Sequence, residues 1–151
     1  MNEAHLHMLV NHFPIIGSIF GLGILITGLV LRNDTLKNTA YVIFIIAAIF
    51  GFLSMSTGEG AEELVEDMPT VGKHIIHEHE EIAEKFILVM YATGVFSILS
   101  LIASIKKHKL AKIVSIITLI LAVVSTVLAK SLGTSGGEVR HTEIRETEKK
   151  S

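Results

Sequence analysis

The stretch from residue 38 to residue 58, NTAYVIFIIAAIFGFLSMSTG, decides the fold because it contains no charged residue and no proline. A helix needs roughly 20 such residues to cross about 30 Å of hydrocarbon. Three further uncharged stretches of similar length cover residues 13–31, 86–105 and 113–129. The pattern predicts an all-α fold, in which residues 1–151 form a single membrane domain built as an integral membrane four-helix bundle.

The segments outside the four stretches are polar. Residues 59–85 form a long connection between the second and third spans, and residues 130–151 form a tail. The connection holds helix-forming runs on both sides of Pro69, so we predict a helical extracytoplasmic extension between these two spans.

Composition excludes several classes of protein. Half of the 151 residues (50%) are apolar, and the mean hydropathy of +0.57 is too high for an ordinary soluble domain. A net charge of −2 gives no basic field for nucleic acid, and the absence of cysteine removes disulfides and thiolate ligands.

Basic residues predict the orientation. The short connections at residues 32–37 and 106–112 are rich in lysine and arginine, whereas residues 1–12 contain neither and do not resemble a secretory signal. We therefore expect a multi-pass protein of the bacterial inner (cytoplasmic) membrane, with both termini and the connection 59–85 on the extracytoplasmic side.

The ionisable residues lie at one end of the predicted bundle. Seven of the eight histidines fall at the ends of the spans that share this side, and only His108 falls at the other. The spans themselves contain no Asp, Glu, Lys, Arg or His, which disfavours an ion pump or a proton relay. Histidine with carboxylate is a ligand set for Fe, Zn, Cu or Mn, although such residues beside a membrane commonly form only a solvated rim.

Helical phase distinguishes these residues. If residues 69–86 form a helix, Ile76, Ala83 and Phe86 share an apolar face, His79 lies at its centre and His77 lies opposite. A buried imidazole needs a partner, so His79 is the strongest candidate. Most acids of the run 59–68 fall opposite an apolar face and are predicted to be solvated.

Position relative to the spans adds other candidates. Glu59 follows span two directly, at membrane depth, and Glu62 and Glu66 share its side. His12 stands beside the helix start that Pro14 predicts, although Asn11 could simply cap that helix. Because the segment after span four is rich in glycine, we expect a sharp return that lays His141 over the bundle, near His12 and His79.

Four motifs in order resemble a large family of predicted bacterial membrane proteins of unknown function. They are HMLVNHFP (residues 7–14), TGExAEExVE (57–66), HExxAE (79–84) and GGxxRHxEI (136–144). The family opening is His-Pro-x-x-x-His-Phe-Pro, and this chain has Met8 in place of its proline, so His7 is left out of the candidate set. The resemblance implies roles for His12, Glu59, Glu62, Glu66, His79, Glu80 and His141, and relatives linked to cytochrome-type modules imply redox surroundings.

Three hypotheses follow. The first is a transition-metal centre, of one or two ions, in a redox or metal-handling role, with imidazole ligands from His12, His79 and His141 and oxygen ligands from Glu59, Glu62, Glu66 or Glu80. The second is a b-type cytochrome with haem b between His12 and His79. The third is a non-catalytic subunit that docks a periplasmic or respiratory redox protein through its acidic surface. We assign no enzyme class, and hydrolysis is the weakest enzymatic option. The lipid bilayer is the expected partner, and a homo-oligomer is an open alternative.

Overall fold

The computed structural model describes residues 3–63, 73–141 and 145. It contains the helices α1 (Glu3–Val10), α2 (His12–Val30), α3 (Asp34–Glu62), α4 (Lys73–Ile105) and α5 (Ala111–Arg140). The described part of the chain is all-α, as predicted. Four helical segments, Ala4–Val30, Asp34–Glu62, Lys73–Ile105 and Ala111–Val139, are long and apolar enough to cross a membrane. These helices indicate a multi-pass membrane protein.

The four long helices pack in chain order into a bundle. Helix α2 packs against α3, α3 against α4, α4 against α5, and α5 closes the bundle against α2. The short helix α1 packs mainly on α3. We call the end of the bundle where α1 and α4 begin and α3 and α5 end the mouth. The opposite end carries the loops between α2 and α3 and between α4 and α5, and we call it the basic end.

The buried face of each helix repeats at alternating intervals of three and four residues, the spacing that keeps one face towards its neighbours in a left-handed helical bundle. On α4 this face includes Ile76, Phe86, Met90, Thr93, Ser97 and Ser100. Large aliphatic and aromatic side chains on the opposite faces are exposed, among them Phe20 (65%), Leu88 (69%) and Val127 (63%). This outer surface matches a hydrocarbon environment.

Small residues bring α2 close to α3. A methyl group added at Gly17 would lie 2.7 Å from Cβ of Ala47, and one added at Gly21 would lie 2.6 Å from the ring of Phe44. At Gly28 it would lie 2.8 Å from the backbone nitrogen of Lys37. These three glycines therefore form the face of α2 that packs against α3.

Hydroxyl groups join the helices in the bundle interior. The Tyr41 hydroxyl donates to Ser115 Oγ (2.7 Å), Thr93 bonds Ser125 (3.0 Å), and Ser100 bonds Thr118 (2.9 Å). All six side chains are buried. Since hydrocarbon offers no hydrogen-bond partner, these pairs satisfy polar groups within the protein and fix α5 against α3 and α4.

The junction of α1 and α2 is a single residue, Asn11. Pro14 lies in the first turn of α2, where its missing N–H is tolerated, so the predicted helix start is present. The alternative that Asn11 caps this helix is wrong, because its side chain makes no capping hydrogen bond. Its Oδ1 atom is instead buried, and no group in the described residues bonds to it.

The segment after span four does not turn back as we expected. Helix α5 continues through Gly133, Gly136 and Gly137 to Arg140, and no described glycine has a positive φ. The physical reason is visible at Gly136, where the absence of a side chain leaves room for the ring of His79 rather than for a turn. His141 ends the helix and is exposed, and its backbone N–H bonds the Gly137 carbonyl.

Candidate functional site

His79 lies on the buried side of α4 at the mouth, where helical phase predicts it. The imidazole is half-buried, and its Nδ1 lies 2.9 Å from Ser135 Oγ on α5. The Ser135 hydroxyl donates its own proton to the Leu132 carbonyl at 3.1 Å. With the hydroxyl in this orientation, the oxygen of Ser135 can accept from the Nδ1–H of His79, and the Nε2 lone pair of the neutral ring is then free.

His7 holds the corresponding position on α1. This half-buried imidazole donates from Nδ1 to the Ser54 carbonyl at 3.0 Å, and Thr57 Oγ1 lies 3.3 Å from the same nitrogen. A carbonyl can only accept, so the proton stands on Nδ1 and the Nε2 lone pair is available. A methyl group added at Gly58 would lie 3.8 Å from the His7 ring. The ring of His7 therefore lies beside the backbone of α3 at Gly58.

His7 and His79 lie at the same end of the bundle. They come from helices α1 and α4, and the oxygens that orient them belong to α3 and α5. Each imidazole thus joins two helical segments of the bundle at the mouth. Metal-binding histidines commonly show this arrangement, in which a hydrogen bond from one ring nitrogen fixes the ring and leaves the other nitrogen for the ligand.

Asn11 lies one helical turn after His7, on the same side of the α1–α2 segment. Its buried and unbonded Oδ1 is an acceptor that lacks a donor among the described residues. A buried polar atom without a partner is costly, so a donor such as a bound water or a ligand would stabilise this arrangement.

Two carboxyl groups come together at the mouth. The side chains of Glu62 on α3 and Glu80 on α4 are neighbours, and Lys73 and His77 lie near enough to act on the charge of Glu62. The two carboxylates repel each other, and the nearby basic side chains oppose that repulsion. On the exposed side of α4, His77 Nδ1 lies 3.9 Å from Glu80 Oε2, and His77 Nε2 lies 3.5 Å from Glu81 Oε1.

The other predicted candidates lie apart from this centre. His12 is exposed and donates from Nδ1 to the Met8 carbonyl at 3.0 Å, although its charge acts on His7. Glu59 is exposed rather than buried at membrane depth, and His141 is exposed at the end of α5. Glu66 falls outside the described residues. Within residues 3–63, 73–141 and 145, no three His, Asp or Glu side chains are grouped closely enough to hold a metal ion as placed.

Sequence reasoning missed His7 and its acceptors. The signal that could have found it is the buried repeat of the first span, whose spacing alternates between four and three residues. Extended towards the N-terminus, the repeat passes through Asn11 to His7 and avoids both His5 and His12; its members are His7, Asn11, Pro14, Ser18, Gly21, Leu25 and Gly28.

Fold and site together define a four-helix multi-pass membrane protein with a polar histidine centre at one end of the bundle. Comparison of the chain with the models of known protein families, with curated proteins and with solved structures found no match. The family resemblance of the four motifs therefore stays a prediction.

Proposed function

We propose that this chain is a membrane metalloprotein that binds a transition-metal ion at its mouth through Nε2 of His7 and Nε2 of His79. The observation that carries the proposal is the hydrogen bonding of the two rings, since Nδ1 of His7 donates to the Ser54 carbonyl and Nδ1 of His79 lies 2.9 Å from Ser135 Oγ, each on another helix. Both rings then offer the lone pair on the same nitrogen, which is the form that coordinates a metal.

Glu62 and Glu80 are the proposed oxygen ligands. A divalent ion between these carboxylates would remove their mutual repulsion. A second ion between the acids and the histidines would make the centre dinuclear. The unbonded Oδ1 of Asn11 would accept a hydrogen from metal-bound water.

The role proposed for the ion is redox or metal handling at the extracytoplasmic face of a bacterial inner membrane. This orientation rests on the basic residues of the two short loops, which by the positive-inside rule face the cytoplasm. Both termini would then face outward, together with the mouth. Imidazole and carboxylate ligands together can bind Fe, Zn, Cu or Mn.

Metal content tests the proposal. The full chain is purified in detergent, loaded separately with Fe, Zn, Cu and Mn, and analysed for bound metal per chain. We expect stoichiometric binding of at least one of these ions, and we expect the His7→Ala/His79→Ala double variant to lose affinity by about a hundredfold or more. The matched control is His108→Ala, which removes an exposed histidine at the basic end.

Two results would overturn the metal proposal. One is wild-type protein that binds none of the four ions. The other is a folded double variant, monodisperse and helical by circular dichroism, that binds metal as tightly as the His108→Ala control.

A b-type haem is the second candidate. Axial ligation needs one imidazole nitrogen from each side of the macrocycle, and His7 and His79 offer Nε2 from two different helices. The sequence favoured His12 in place of His7, but His12 is exposed and bonded within its own segment. An absorption spectrum after expression with ample haem decides this alternative, because a bis-histidine haem gives a Soret band that the double variant would lose.

A docking role is the third candidate. The exposed side of α4 at the mouth carries Glu78, Glu81 and Glu84, which would attract a basic periplasmic or respiratory redox protein. Co-purification of such a protein, lost when salt is raised and independent of metal, would favour docking over a metal centre.

A further inference from the structure

The basic end of the bundle concentrates positive charge beside the membrane. Its two loops and the adjoining helix ends carry six basic side chains and one carboxylate, Asp34, for a net charge of +5; the basic residues are Arg32, Lys37, Lys106, Lys107, Lys109 and Lys112. All except Lys37 are exposed. This charge is of opposite sign to that of the whole chain, which is −2.

Both loops hold a basic residue in a backbone conformation that usually belongs to glycine. Arg32 and Lys107 each have a φ of 50°. Each loop closes the preceding helix with the same pair of backbone hydrogen bonds. After α2, the Asn33 N–H donates to Gly28 O (2.9 Å) and the Arg32 N–H donates to Leu29 O (3.3 Å). After α4, the His108 N–H donates to Ala103 O (2.8 Å) and the Lys107 N–H donates to Ser104 O (3.1 Å). The paired motifs therefore place a long cationic side chain just beyond the end of α2 and of α4, although glycine would fit the backbone with less strain.

The two loops lie side by side. The charge of Lys107, from the loop after α4, acts on Asp34, the first residue of α3. Asp34 also pairs with Lys37 at 2.7 Å, so the single carboxylate of this end is already neutralised. Among the described residues, Arg32, Lys106 and Lys109 form no ion pair, which leaves these cations available for a partner.

The partner must be apolar as well as anionic. Large hydrophobic side chains flank the cations and are exposed, among them Val30 (74%), Leu31 (64%), Ile105 (67%) and Leu110 (45%). Arg32 follows Leu31 directly, and Lys106 follows Ile105 directly. A soluble acidic protein would meet the charges but leave this hydrophobic rim in water, whereas a phospholipid offers acyl chains to the rim and a phosphate to the cations.

We propose that the basic end is a binding site for anionic phospholipids, in which Arg32, Lys106, Lys107 and Lys109 hold the phosphate groups of one leaflet. Guanidinium and ammonium groups donate to phosphate oxygens, and the exposed apolar residues of α2 and α4 contact the acyl chains. The site is independent of the centre at the mouth, because it lies at the opposite end of the bundle.

Lipid selectivity in mixed micelles tests this proposal. The full chain in detergent is titrated with fluorescent phosphatidylglycerol and, separately, with fluorescent phosphatidylcholine. We expect wild type to prefer phosphatidylglycerol by about tenfold, on the basis of the usual attraction of each lysine to an anionic surface. The variant Lys106→Gln/Lys107→Gln/Lys109→Gln should bind both lipids about equally.

The control removes as many positive charges from the mouth, in Lys73→Gln/Lys85→Gln/Lys130→Gln, and should keep the wild-type preference. Equal binding of the two lipids by wild type would overturn the proposal, as would an equal loss of preference in the control. Wild type alone gives a further check, because raising salt from about 0.05 M to about 0.5 M should abolish the preference. A preference that persists at the higher salt would contradict an electrostatic headgroup site.

Discussion

At the basic end of the bundle Gly28 lies against the backbone of the next helix, whereas at the mouth Gly136 lies against the ring of His79. The histidines differ in the same way. His108 at the basic end is exposed and its Nδ1 accepts from the Leu110 N–H at 3.2 Å, whereas His79 is half-buried and its Nδ1 lies 2.9 Å from Ser135 Oγ on another helix. One end uses its small residues to bring helices together, and the other uses them to make room for an imidazole.

This difference separates residues that hold the fold from residues that form the site. Around Gly28 the neighbouring atoms belong to the Asp34 end of α3 and cannot move without opening the loop. Around the mouth, Gly133 has no neighbour within 4 Å and Gly136 has only His79. Stability should therefore respond to changes at the basic end, and ligand binding should respond to changes at the mouth.

The largest effect on stability is expected at Gly28. A methyl group there would meet the Lys37 backbone nitrogen at 2.8 Å and Leu36 Cβ at 3.1 Å, so Gly28→Ala should lower the free energy of unfolding by about 2–3 kcal/mol. Gly133→Ala is the matched control, and it should raise stability by up to about 1 kcal/mol because alanine favours a helix. Thermal unfolding in detergent measures both. Equal destabilisation by the two changes would remove the distinction between the two ends.

A smaller effect is expected at Ser135. Ser135→Ala removes the acceptor of the His79 Nδ1–H, so the ring loses its orientation and metal affinity should fall by about tenfold. Thr134→Ala provides the control, because the exposed Thr134 hydroxyl bonds only the Lys130 carbonyl of its own helix. Metal titration of both variants measures the change. If the two variants bind metal with the same affinity, the Ser135 contact does not support the site.

The fold was largely predictable, because four uncharged stretches leave few alternatives to membrane helices. The ends of the helices were less predictable from the sequence. Helix α5 continues past the predicted end at residue 129 to Arg140, since glycine is tolerated in a helix where it makes room for a neighbouring side chain. Composition alone does not distinguish such a glycine from one that begins a turn.

The site was predictable only in part. Helical periodicity correctly predicted that His79 lies on the buried face of α4, because α4 carries enough apolar residues near His79 to define that face. His7 was missed because α1 has only 8 residues, too few to define a face on its own. Its position follows from the repeat of α2, to which α1 is joined through Asn11. The meeting of Glu62 and Glu80 depends on how α3 and α4 pack, which no local pattern reports.

The protonated ring nitrogen of each histidine tests the central claim most directly. Two-bond ¹⁵N–¹H correlation spectra of the metal-free chain, labelled at histidine and kept at a pH where the rings are neutral, distinguish the two tautomers. We predict a proton on Nδ1 for His7 and His79 and on Nε2 for His108, and we expect added metal to shift the signals of His7 and His79, most strongly at Nε2. A proton on Nε2 in both mouth histidines would contradict this prediction.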